Sequence, residues 1–147
     1  MIYWDTSALF KLYVPEPDSD YFSDLVAKTE GPILSSNVIE IEMLCAFHRR
    51  EQAGDLKSEP AEMLFESFLA DLSASRIVTV PYGTDIAAKA RGLVKLAYQR
   101  VPPLMIRSLD VIHVASALVS NTKTLVSTDP RLRELAELTD LKVIPSD

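Results

Sequence analysis

Four acidic residues, Asp5, Glu42, Asp110 and Asp129, stand where an acid needs explaining. Asp5 follows Ile2-Tyr3-Trp4, a β-branched and aromatic run that suits a short strand. After it come Thr6-Ser7 and an apolar helical stretch that Pro15 and Pro17 end. Asp129 repeats the arrangement behind Thr124-Leu-Val-Ser-Thr128, with Pro130 next. Each aspartate has a second reading as a plain helix N-cap. Glu42 shares a helical face with Val38, Ile39, Cys45 and Ala46. An ionised carboxylate there must pair, with Arg49 or a neighbouring lysine for example, or bind a cation. Asp110 is the only acid between Ile86 and Thr128 and opens an almost wholly apolar helix. Stabilisation of the helix dipole competes as its explanation. His113, one turn later, reads as packing or support, since no second histidine or cysteine lies nearby to complete a zinc set.

The combination says more than any member. Two aspartates at C-terminal strand ends and two acids on early helical turns can converge at one edge of a parallel sheet. Carboxylates brought that close repel and partly protonate unless a cation neutralises them. An oxygen-only donor set favours Mg²⁺ or Mn²⁺ over zinc. Ions of that kind bind phosphates and activate water for in-line attack.

The elements that must position these acids alternate in kind. Strand patterns fall at Ile2–Trp4, Ile33–Ser36, Arg76–Val80, Thr124–Thr128 and Leu141–Ile144. Helical patterns fall between them, over Asp18–Thr29, from Asn37 to about Gln52, over Glu59–Ser73, from Thr84 to about Tyr98, from Ser108 onward, and from Pro130 to Leu138. Asn37, with Glu40 as capping-box partner, and Ser108 are the expected caps of the helices that carry Glu42 and Asp110. Met63, Leu64, Phe65, Phe68, Leu69 and Leu72 are expected inside, and the helix beyond Thr84 shows a 3.6-residue apolar period through Val94 and Tyr98. Cys45 reads as a packing residue. The alternation predicts a three-layer α/β/α fold with a central parallel sheet of four to five strands, in a single domain over residues 1–147.

Bulk properties narrow the class. The chain has 147 residues, 48% hydrophobic and 24% charged, and one cysteine, which excludes an internal disulfide and a cysteine-rich zinc site. No apolar run approaches a membrane span, so a cytoplasmic protein with no membrane partner is expected. The net charge of −6 argues against nucleic acid, but it is unevenly spread. Residues 1–75 carry 5 basic and 14 acidic side chains, and residues 76–147 carry 10 and 7. That split leaves room for a cation site beside an anion-binding surface.

Asp5-Thr-Ser-Ala-Leu-Phe-Lys-Leu-Tyr-Val-Pro-Glu16 resembles the opening of PIN-domain nucleases, especially VapC-type toxins of toxin–antitoxin pairs. The resemblance continues, in order, through Ser36-Asn-Val-Ile-Glu-Ile-Glu42, Leu109-Asp-Val-Ile-His-Val-Ala-Ser-Ala117 and Ser127-Thr-Asp129. It implies a PIN-like fold, Mg²⁺ or Mn²⁺, endonucleolytic RNA cleavage, inhibition by a cognate VapB-type antitoxin, and a homodimer. By position, it makes Asp5, Glu42, Asp110 and Asp129 the catalytic metal site and Thr6 and Ser127 supporting hydroxyls. Thr128 departs from the aromatic residue that many relatives place before the last aspartate. Arg107, Lys123, Arg131 and Arg133 flank the motifs as candidate phosphate contacts. An antitoxin segment is expected to cover a groove near Leu9, Phe10 and Tyr13. Two rival readings are a non-catalytic PIN-like scaffold that binds RNA or protein and a haloacid-dehalogenase-like phosphatase with Asp5 as nucleophile. The phosphatase reading lacks the second aspartate two positions on.

Overall fold

The computed structural model describes residues 1–57 and 59–146. Its strands are β1 (Ile2–Trp4), β2 (Ile33–Ser36), β3 (Ile77–Val80), β4 (Thr124–Val126) and β5 (Lys142–Ile144). The helices are α1 (Thr6–Leu9), α2 (Ser19–Lys28), α3 (Ile39–Gln52), α4 (Ala61–Ser73), α5 (Thr84–Gln99), α6 (Ser108–Val119) and α7 (Pro130–Glu137). A 3-10 turn, Phe10–Leu12, extends α1. Among the described residues the strands form one parallel sheet in the order β3-β2-β1-β4-β5. β1 is central, with Tyr3 opposite Leu34 of β2 on one side and Leu125 of β4 on the other.

Alternation along β1 and β4 builds the three layers. Tyr3 and Leu125 enter a core formed with Ile86, Leu93, Val111, Val114 and Leu135, from α5, α6 and α7. Trp4 and Val126, one residue later, point the other way into a core with Phe22, Ile39, Met43, Phe47 and Phe68, from α2, α3 and α4. The chain leaves β1 toward β2 on one flank and reaches β4 on the other, so the crevice beyond β1 and β4 is a topological switch point. In open α/β sheets ligands bind there. Asp5 and Ser127 are the next residues after those two strands.

Several local expectations are corrected. Val38, not Asn37, is the cap residue of α3 and makes no side-chain cap; Asn37 Oδ1 accepts instead from the Tyr82 amide at 3.3 Å. Glu40 is exposed and has no capping role. Arg107 takes the cap position of α6, Ser108 being its first helical residue. Gly83 likewise precedes α5 at the place expected of Thr84. Cys45, Met63, Leu69, Val94 and Tyr98 are exposed. Helices with one face on a sheet bury a narrower stripe than their apolar content suggests. No helix among the described residues is long and apolar enough to cross a membrane.

Candidate active site at the sheet edge

Asp5 is the anchor. Its carboxylate is almost completely buried and caps α1 by accepting from the Ala8 amide at 3.0 Å. The Ser127 hydroxyl donates to Oδ2 at 2.6 Å, and the Ser7 hydroxyl sits 2.8 and 2.9 Å from the two carboxylate oxygens. Ser7 Oγ in turn accepts from the Thr128 amide at 2.9 Å, tying the end of β1 to the end of β4. Burial pushes the Asp5 carboxyl above its ordinary range; His113 and these donors offset only part of that. The capping and functional readings of Asp5 thus hold together in one geometry.

Glu42 lies half-buried on α3 and takes His113, not Arg49, as its partner: His113 Nε2–H donates to Oε1 at 2.6 Å. His113 is buried on α6, with its Nδ1 2.8 Å from the Tyr3 hydroxyl and Thr6 Oγ1 3.5 Å from Nε2. Burial opposes a charged imidazole, but Glu42, with Asp5 and Asp110 behind it, outweighs burial and raises the His113 pKa. The ring therefore sets the position of Glu42 from a second helix.

Asp110 and Asp129 share a guanidinium. Arg107 Nε donates to Asp110 at 3.2 Å, and Nη2 donates to Asp129 at 2.9 Å. Asp110 also accepts from the Arg107 amide at 3.3 Å, closing the first turn of α6. Asp129 caps α7, its Oδ1 accepting from the Arg131 and Leu132 amides at 2.9 and 3.2 Å. Dipole and cap account for where these two acids sit, and Arg107 shows that together they hold a cation.

All four acids line one cavity of about 870 Å³, with Thr6, Ser7, His113 and Arg107 also on its wall. As they stand, no three carboxylate, histidine or cysteine side chains among the described residues are grouped closely enough to hold a metal. The donor set nonetheless suits a hard divalent cation: it is oxygen-only and already carries the positive charge of Arg107 between two of its members.

The remaining candidates divide. Ser127 and Thr6 reach the site through Asp5 and His113. Arg107 lines the cavity, whereas Lys123, Arg131 and Arg133 do not. Lys123 precedes β4, at the end of that strand opposite Asp129. Arg131 is exposed on α7, and the Arg133 guanidinium donates to the Ser127 and Pro145 carbonyls, both at 2.8 Å. Of the residues expected to border a groove, Leu9 and Phe10 are buried, though Phe10 lies on the cavity wall, and Tyr13 is half-buried away from it; the large exposed apolar cavity residues are Ile41 and Leu109. Sequence reasoning missed Ser7, Tyr3 and the bridging by Arg107. Only Ser7 left a signal, a hydroxyl two residues beyond the anchor aspartate.

Fold and site together describe an α/β protein with an acidic, oxygen-rich site at the switch point of a parallel sheet. The family model described as PIN domain matches residues 2–138. The chain is 34% identical over 149 residues to Ribonuclease VapC35 of Mycobacterium tuberculosis (strain CDC 1551 / Oshkosh), covering 98% of this chain and 96% of that protein. It therefore belongs to the PIN domain family. Among solved structures, the fold is similar to that of VapC20 of Mycobacterium tuberculosis, described as a Sarcin-Ricin loop cleaving toxin. That match has a TM-score of 0.73 at 14% identity and covers 97% of this chain and 99% of the other. VapBC2 from Rickettsia felis, bound to a DNA fragment from its promoter, matches with a TM-score of 0.67 at 22% identity over 97% of each chain.

Proposed function

We propose that the chain is a metal-dependent endoribonuclease toxin, one domain over residues 1–147, that hydrolyses RNA phosphodiester bonds and is held in check by a VapB-type antitoxin. The observation that carries this reading is the convergence of Asp5, Glu42, Asp110 and Asp129, from four separate segments, on one cavity. The 34% identity to a named ribonuclease over nearly the full length supports RNA as substrate.

Asp5, Glu42, Asp110 and Asp129 would hold Mg²⁺ or Mn²⁺. When bound, the ion supplies Lewis-acid charge at the phosphate and lowers the pKa of water. The chain's own groups do the rest. Ser7 and Ser127 fix both oxygens of Asp5, and Ala8 closes the set, so that carboxylate meets a cation without reorganising. His113 keeps Glu42 on the cavity side of α3. Arg107, more than half exposed, is placed to leave its two aspartates and meet a phosphate oxygen. In hydrolysis the oxygen of water forms the new bond to phosphorus, and the bond to the leaving ribose oxygen breaks.

Ile41 and Leu109, exposed beside the acids, offer apolar footing for an antitoxin segment, and an arginine on that segment could pair with the carboxylates. The family resemblance adds a homodimer.

The test incubates purified protein with RNA and Mg²⁺ or Mn²⁺ and sequences the new ends. Asp5→Asn and Asp110→Asn should each reduce cleavage by orders of magnitude, the double variant being little worse. Cleavage that survives in both single variants overturns the assignment.

A further inference from the structure

Helix α3 carries two faces. Ile39, Met43 and Phe47 are fully buried against the sheet. Ile41, Glu42, Cys45, Ala46, Arg49, Arg50 and Ala53 line the cavity instead. The cavity thus follows α3 from Ile41 to the cap residue Ala53, roughly 18 Å at the helical rise. Glu42 stands near one end of this wall and two arginines near the other.

The cations on the cavity wall are Lys11, Arg49, Arg50 and Arg107. Lys11 is bound by Glu16 and Asp18. Arg50 pairs with Glu16 and lies over the Phe10 ring, 5.1 Å from its centre. Arg107 bridges Asp110 and Asp129. Arg49 alone, among the described residues on this wall, has no carboxylate within ion-pair distance, and it is exposed. Its fellow Arg50 is spent on holding α3 to the segment after the 3-10 turn. Its place in the last turn of α3 complements the helix dipole, and its guanidinium, paired with no carboxylate, also lines the cavity that holds the four acids, where it can meet an anion.

We infer that Arg49 is the phosphate-contacting residue of an RNA subsite lying along α3, separate from the phosphate being cut. Arg49 is seven residues beyond Glu42, roughly 10 Å along the helix axis. With its Cα displaced that far along the wall from Glu42, its contact is assigned to a neighbouring phosphate of the same strand. The inference rests on the ribonuclease reading above and adds a direction to it: the strand runs from the acids along α3 toward Ala53. Arg107 at the acids and Arg49 at the far end then bracket the bound strand, with acids neutralised by the metal between them.

The test measures binding of a fluorescent random-sequence 12-nucleotide RNA by anisotropy, in Mn²⁺, using the full chain carrying Glu42→Gln to prevent cutting. Adding Arg49→Ala should weaken binding roughly three- to tenfold and make the salt dependence shallower by about 0.7 in log–log slope. Arg49→Lys, which keeps the charge, should restore most of that slope. Lys95→Ala, exposed on α5 and remote from the cavity, should change neither quantity. Affinity and slope unmoved by Arg49→Ala overturn the inference. Failure of the unsubstituted chain to cut RNA, with no binding in the Glu42→Gln background, overturns the ribonuclease reading instead.

Discussion

Each acid at the sheet edge is held in place by a neighbouring side chain. Asp5 depends on hydroxyl and amide donors because water scarcely reaches it. Removing one donor leaves a buried acceptor short of a partner, which costs about 1–3 kcal/mol. Ser127→Ala should therefore lower stability by that amount in denaturant unfolding and also weaken Mn²⁺ binding. A neutral result on both would mean that Ser7 alone suffices. Arg107→Ala acts in the opposite sense on the metal. The side chain is more than half exposed, so its ion pairs contribute less than about 1 kcal/mol to folding. It nonetheless competes for two of the four carboxylates. Calorimetry should show tighter Mn²⁺ binding by Arg107→Ala than by the unsubstituted chain; weaker binding would make Arg107 a support rather than a competitor.

At the scale of elements, α3 separates folding from function. Phe47→Ala should cost about 3–5 kcal/mol of stability by opening a cavity in the core under the sheet. Glu42→Ala should abolish cleavage, and Glu40→Ala, two residues away but exposed and without a capping role, should leave both cleavage and thermal midpoint unchanged. The helix also shows what a sequence can reveal. Strand order in the chain, the strand and helix alternation, and the clustering of acids at strand ends were all legible, because they depend on local pattern. Cys45, which its period marks as packing, is exposed on the cavity wall, whereas Ala46 beside it does pack against the core. A groove lined by small apolar residues has the same helical period as a core stripe, and only the packed neighbours distinguish them. The Asn37 and Ser108 caps failed for a related reason: short polar side chains mark turns as well as caps, and here Asn37 serves the loop before α5. The Tyr3–His113 and Ser7–Thr128 bonds join residues more than a hundred positions apart and leave no local trace.

Over the whole molecule, the acidic half is kept in order by its few cations. Burial opposes ionisation of Glu16, but Lys11 and Arg50 outweigh it and hold its carboxyl below the ordinary value of 4.5. A carboxyl lowered in the folded chain stabilises above its unfolded pKa, and that stabilisation is lost as pH falls through the lower folded value. Thermal midpoints measured on acidification should therefore fall more steeply for the unsubstituted chain than for Glu16→Gln, the two converging at the most acid end. Parallel curves would show that the Lys11–Glu16–Arg50 cluster adds nothing to folding.

The bond between Ser127 and Asp5 spans 122 positions. A ribosome adding about 5–20 residues per second needs roughly 6 to 24 s to travel that far. Throughout that interval the growing polypeptide carries its first acid without the strand that completes the pocket. On the ribonuclease reading proposed above, the acid pocket stays incomplete while the chain is being translated. Its capacity to cut arrives in one late step, after most of the chain has been made. The antitoxin restraint proposed above is needed from that step onward, so the order of segments in the fold sets the moment at which it must begin.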